Sequence, residues 1–98
     1  MKRVLNIAKI KEECIDEYIK AHDNIWPELE EEYRQRGVTN ITCFLDGSML
    51  FVYMEYDEEK INEKRPVEIK WHEYMSTLTD ASWNVKNPRE VYRLKGAI

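Results

Sequence analysis

The chain has 98 residues, 43% hydrophobic and 35% charged, with a formal net charge of −4, the profile of one soluble globular domain over 1–98 with room for a small core. The acidic balance excludes the concentrated basic surface that nucleic acid requires, and no apolar run approaches the ~20 residues that cross a bilayer. Two cysteines without a CxxC pair and two histidines, scattered along the chain, predict no metal site.

The start, Met1-Lys2-Arg3-Val4, runs on into Asn6, Lys9, Lys11 and two glutamates, which is no secretory signal. With nothing pointing to export, Cys14 and Cys43 are expected as reduced thiols, small buried apolar groups in a cytoplasmic protein. Arg3 to Ile10 reads as a strand, rich in β-branched residues and apolar on both faces as a central strand is. Glu12 to Ala21 then reads as a helix, because Ile15, Tyr18, Ile19 and His22 recur at helical spacing. Asp23-Asn24 and Pro27 interrupt it, since proline removes a donor and restricts the residue before it. Trp26, Leu29 and Tyr33 resume the stripe. Trp26 and Pro27 are expected to fix this restart rather than to touch a ligand. Glu30-Glu31-Glu32 reads as a solvated face, acidic residues early and arginines late suit the helix dipole, and Gly37 is the expected stop.

Val38 to Leu45 and Met49 to Tyr56 read as strands joined by Asp46-Gly47-Ser48, a hairpin signal. After the charged connection Asp57 to Arg65, Pro66 opens a helix in which Val67, Trp71, Tyr74 or Met75, and Leu78 recur. Thr79 to Arg89 reads as a loop, of a length that is often functional; Trp83 within it is expected to pack under the sheet rather than to act as a lid. Glu90 to Leu94 is expected as a last strand. The order strand, helix pair, strand, strand, helix, strand predicts a ferredoxin-like βαββαβ α+β sandwich with helices on one face of an antiparallel sheet. The apolar second face predicts a homodimer with sheets packed face to face, of the dimeric α+β barrel type.

Tyr18 and His22, four residues apart on one helix face beside the break, make a candidate pocket wall. Histidine is the side chain best suited to moving protons near neutrality. Taken alone, these residues leave His22 open as a proton-transfer group or a hydrogen-bonded structural residue, and Tyr18 as a pocket group or a core phenol. Tyr18, His22, Asn24, Ile25, Trp26, Pro27, Glu28 and Leu29 together resemble the signature of the L-rhamnose mutarotase family, whose members interconvert the anomers of a deoxy-sugar. The resemblance extends over roughly residues 4 to 94, including Asn40 to Asp46 and Glu90-Val91-Tyr92.

The resemblance implies a cofactor-free isomerase that acts on a monosaccharide by acid-base ring opening and closure. It implies His22 as catalytic proton donor and Tyr18 as a substrate-binding group. Trp71 would supply an aromatic wall, matching the first member of a family tryptophan pair. His72 stands where the second tryptophan is usual, and Ile41 where a substrate-contacting tyrosine is frequent. His72, counted with the substrate-binding residues, remains open as a donor to a sugar hydroxyl, a second proton-transfer group or a solvent-facing side chain. Because one fold hosts many chemistries, a cofactor-independent monooxygenase-like enzyme and a non-catalytic sugar-binding module stand as the alternatives.

Overall fold

In a computed structural model that describes residues 1–94, three strands form one antiparallel sheet. They are β1 (Lys2–Lys9), β2 (Val38–Asp46) and β3 (Met49–Tyr56), in the order β1-β3-β2. Three helices accompany them: α1 (Ile15–Asp23), α2 (Pro27–Gln35) and α3 (Pro66–Leu78). The expected α+β, ferredoxin-like arrangement is present, and β3 pairs throughout with both neighbours.

Two expectations need correction. Glu90 to Leu94 forms no strand; the chain after α3 instead follows the outer edge of β1 through bridges at Ile10–Thr79 and Ile7–Lys86. Pro88 cannot donate to a ladder, and Val91, Tyr92 and Leu94 are 80%, 76% and 62% exposed, without the apolar contacts that would hold a strand. Arg3 pairs with Glu90 at this edge. Consequently β3, not β1, is the central strand of the three. The first helix also starts later than its periodicity suggests, because Glu12–Cys14 takes one 3-10 turn before α1 begins.

Local chemistry explains the remaining boundaries. Asn24 ends α1 by donating both its backbone N–H and its side-chain amide to the Lys20 carbonyl, at 3.1 and 2.9 Å. Pro27 is the first residue of α2, where its missing N–H costs nothing. Gly37 has a φ of +86°, and a Cβ there would lie 2.7 Å from the Lys60 Cβ, so only glycine fits. Helix α3 begins at Pro66 without a side-chain cap of its own. Glu32 of α2 supplies one, accepting from the backbone N–H groups of Val67 and Glu68 at 3.3 and 2.9 Å. That carboxylate answers the orphan donors of a helix N-terminus, so Glu32 is no part of a purely solvated face.

Ile10, Tyr18, Leu50 and Leu78 form the buried core, with Ala8, Cys14, Ile15, Leu45, Val52, Tyr74 and Met75 packed on it. A fully buried aliphatic side chain such as Ile10 stabilises by roughly 1.5–3 kcal/mol. Strand alternation sends Leu50 and Val52 toward the helices and their neighbour Phe51 to the opposite face. There Phe51 stands across from Phe44 on β2 and Ile7 on β1, while Tyr53 stands across from Leu5. Phe44 is 60% exposed. A second buried centre is ionic: Arg36 donates twice to Glu68, at 2.8 and 2.9 Å, and once more to the Asn62 carbonyl. The helical stripe of α3 foretells Trp71 and Leu78, but not Glu68, which is 1% exposed.

Candidate active site

Helix α1 presents Tyr18 and His22 one turn apart, and the His22 Nδ1 lies 2.9 Å from the Tyr18 backbone carbonyl oxygen. A carbonyl can only accept, so Nδ1 carries the proton. The ring's other nitrogen, Nε2, is left to accept in the neutral imidazole or to donate in the cation. The His22 ring sits between two aromatics. Its centroid is 4.2 Å from that of Tyr18 and 5.1 Å from that of Trp71, which it meets edge to face. Trp26 buttresses Trp71 from behind, also edge to face at 5.0 Å. This packing holds the imidazole by its flanks as well as by its hydrogen bond.

A cavity of about 480 Å³ opens beside His22, between the helices and the concave sheet face. Tyr18, His22, Trp71 and His72, the four residues singled out in the sequence, all line it. Ile41, the noted departure on β2, lines it too. Trp26 and Pro27 do not, in agreement with a role in the helix restart. Trp83 also lies outside the lining and so does not cover the cavity; it is half-buried, with the Lys86 ammonium 5.2 Å from its ring centre. Trp71, only 4% exposed, serves the core and the cavity wall at once.

Several lining residues escape the sequence reading. Cys43 is one; it is an exposed residue on the cavity wall rather than a buried apolar filler. Alternation along β2 puts Ile41, Cys43 and Leu45 on one face, and that is the signal that identifies it. Tyr33 is another, one turn beyond Leu29 on the same face of α2. Glu30 also borders the cavity instead of belonging wholly to a solvated run.

Burial, with the Cys43 thiol and the Tyr33 phenol adding to it, raises the Tyr18 phenol far above its ordinary value. A phenol raised in this way keeps its proton near neutrality and has one O–H to donate. Partial desolvation pushes the Cys43 thiol up, tempered by the neighbouring Tyr18 hydroxyl. Burial lowers the His72 imidazole, helped by Lys64 and opposed by Glu68, whose carboxylate is 3.7 Å from the His72 Nε2. Among the described residues, no group of three His, Cys, Asp or Glu side chains gathers to hold a metal ion, and no helix is long and apolar enough to cross a membrane.

A neutral phenol, an imidazole with one committed nitrogen and an aromatic wall around a partly apolar cavity suit a small polyhydroxylated ligand. Residues 3–95 match the family model of L-rhamnose mutarotase. The chain belongs to the L-rhamnose mutarotase family. Its enzyme class is accordingly that of the isomerases. The family relatives include the L-rhamnose mutarotase of Listeria monocytogenes, 35% identical over an 89-residue alignment, with 86% of each chain covered. That of Oceanobacillus iheyensis is 39% identical over an 83-residue alignment, with 80% of each chain covered. A crystal structure of L-rhamnose mutarotase from Formosa agariphila superposes with a TM-score of 0.73, covering 97% of this chain and 100% of that one at 22% identity; this likeness concerns the fold.

Proposed function

We propose that this chain interconverts the α and β anomers of L-rhamnose or a closely related deoxy-sugar, with His22 as the proton donor. The supporting observation is the anchored His22 ring, whose Nδ1 is engaged by the Tyr18 carbonyl while the residue lines the cavity. Ring opening needs a proton delivered to the ring oxygen as the bond from that oxygen to the anomeric carbon breaks. At the same time the anomeric hydroxyl loses its proton and becomes the aldehyde oxygen. The imidazolium Nε2 of His22 delivers the first proton, and water at the open mouth takes the second. Rotation about the adjacent carbon–carbon bond followed by closure in reverse gives the other anomer. General acid catalysis of this kind contributes about 10²–10⁴-fold.

Tyr18, kept neutral by burial, donates to a sugar oxygen. Trp71 offers apolar surface to the C–H face and methyl group, and His72, held toward its neutral form, accepts from a sugar hydroxyl at the rim. The second face of the sheet, with Phe44 exposed and Leu5, Ile7, Phe51 and Tyr53 half-buried beside it, supports a homodimer. Residues 1–98 act as one cytoplasmic domain in this reading.

The test is anomeric proton exchange by NMR with L-rhamnose, L-fucose, D-mannose and D-galactose, with and without catalytic amounts of protein. Acceleration for at least one sugar that disappears in His22→Ala supports the proposal. Equal rates with and without protein for all four sugars would end it. Sedimentation velocity tests the dimer, for which a purely monomeric species at micromolar concentration is the contrary result.

A further inference from the structure

The cavity beside His22 is not closed at its α2–β2 end. A shallower depression lined by Arg34, Val38, Thr39 and Asn40 adjoins it, and Glu30, Tyr33 and Ile41 line both. These three side chains therefore stand at the boundary between the two. The sheet wall of the main cavity is poor in hydrogen-bonding groups: Ile41 on β2 and Val52 on β3 offer none, and the Cys43 thiol is only a weak donor and acceptor. The Thr79 hydroxyl, at the other end, is committed to the Ser76 carbonyl at 3.1 Å. A polyhydroxylated ligand that met only this wall would lose water without compensation, which is unfavourable.

Across from that wall, α2 brings two polar side chains to the boundary, the Glu30 carboxylate and the Tyr33 phenol. Tyr33 is half-buried, and its hydroxyl has no hydrogen-bond partner among the described residues, yet it is not sealed from solvent. We infer that Tyr33 is a specificity-determining substrate residue, its hydroxyl holding a sugar hydroxyl at the α2–β2 end of the cavity opposite the apolar Ile41. This inference rests on the sugar-binding reading above and extends it to a residue outside the Tyr18, His22, Trp71 and His72 set. Burial and the Glu68 carboxylate raise the phenol above its ordinary value, so the group offers a neutral O–H across the working pH range. A neutral hydrogen bond made equally in the ground and transition states changes binding and not turnover. A site that reads a hydroxyl discriminates more sharply than one that reads a methylene.

The experiment is Tyr33→Phe, read by exchange kinetics and by sugar binding through tryptophan fluorescence, across the same four sugars, with His22→Ala in parallel. Tyr33→Phe is expected to raise KM for the preferred sugar about fivefold, to leave kcat within about twofold, and to flatten the preference among sugars. The melting temperature is expected to stay unchanged, which separates lost recognition from lost packing. Unaltered KM and an unaltered preference would overturn the inference. The two readings fail separately: a parent protein that binds a sugar without turnover overturns mutarotation alone, and Tyr33 is then judged on Kd. A parent protein that binds none of the four overturns the Tyr33 assignment as well.

Discussion

The His22 Nδ1 and the Tyr18 carbonyl oxygen lie 2.9 Å apart, so one turn of α1 decides which nitrogen of the imidazole faces chemistry. The same turn carries the Tyr18 phenol into the cavity, and the two ring centroids lie 4.2 Å apart with the planes tilted by 31°. His22→Ala removes the proton-transfer group but leaves the helix, because alanine favours helix more than histidine does. Exchange is expected to slow by about 10²–10⁴-fold with the far-ultraviolet dichroism retained. A variant that exchanges anomers at the parent rate removes His22 from the mechanism.

That pairing was readable from an interval of four residues, and so was most of the fold. The hairpin followed from Asp46-Gly47, the end of α2 from Gly37, and the start of α3 from Pro66. These are positions where backbone geometry admits few residue types, and local rules suffice. The fourth strand failed for the opposite reason. Glu90 to Leu94 has strand-like composition, but β propensity expresses a fit to neighbours, and among the described residues those neighbours are lacking. Glu32 and Glu68 were illegible because their roles depend on partners roughly thirty or more positions away: a helix N-terminus for one and a buried guanidinium for the other. Tyr33 and Cys43 had the right periodicity, yet only the spacing of α2 from β2 turns that face into a cavity wall.

The His72 imidazole is depressed below its ordinary value by burial, which fixes the sign of a pH effect. Above the unfolded value both states are neutral and the group contributes no slope. As pH falls below it, the unfolded chain takes up the proton first, so stability declines until the folded-state value is passed. On going from about pH 7.5 to about pH 5.5, the parent protein should therefore lose more in melting temperature than His72→Gln does. Parallel curves for the two proteins would show that His72 is not the group responsible.

Arg36 and Glu68 are 5% and 1% exposed and joined by two hydrogen bonds. Glu68→Ala strands the guanidinium in the interior and is expected to cost about 3–5 kcal/mol. Urea unfolding measures this as a lower midpoint at similar slope. Replacing both residues, as Arg36→Met with Glu68→Leu, should recover part of the loss, since a buried pair exchanged for apolar groups of similar volume is often tolerated. A single variant within about 1 kcal/mol of the parent would mean that another group or water satisfies Arg36.

Cys43 offers a probe of the cavity that does not depend on turnover. Its thiol is pushed above the ordinary range by desolvation, and the thiolate is the reactive species. Alkylation by iodoacetamide at about pH 8 should accordingly be slower than for a free thiol in a short peptide. It should quicken as pH rises further, because the rate follows the fraction present as thiolate. A sugar occupying the cavity covers the same sulfur, so saturating amounts of the preferred sugar should protect Cys43 while leaving Cys14, which packs against the core, at its own rate. Peptide mass spectrometry distinguishes the two sites. Protection at both cysteines, or at neither, would place the sugar somewhere other than beside His22.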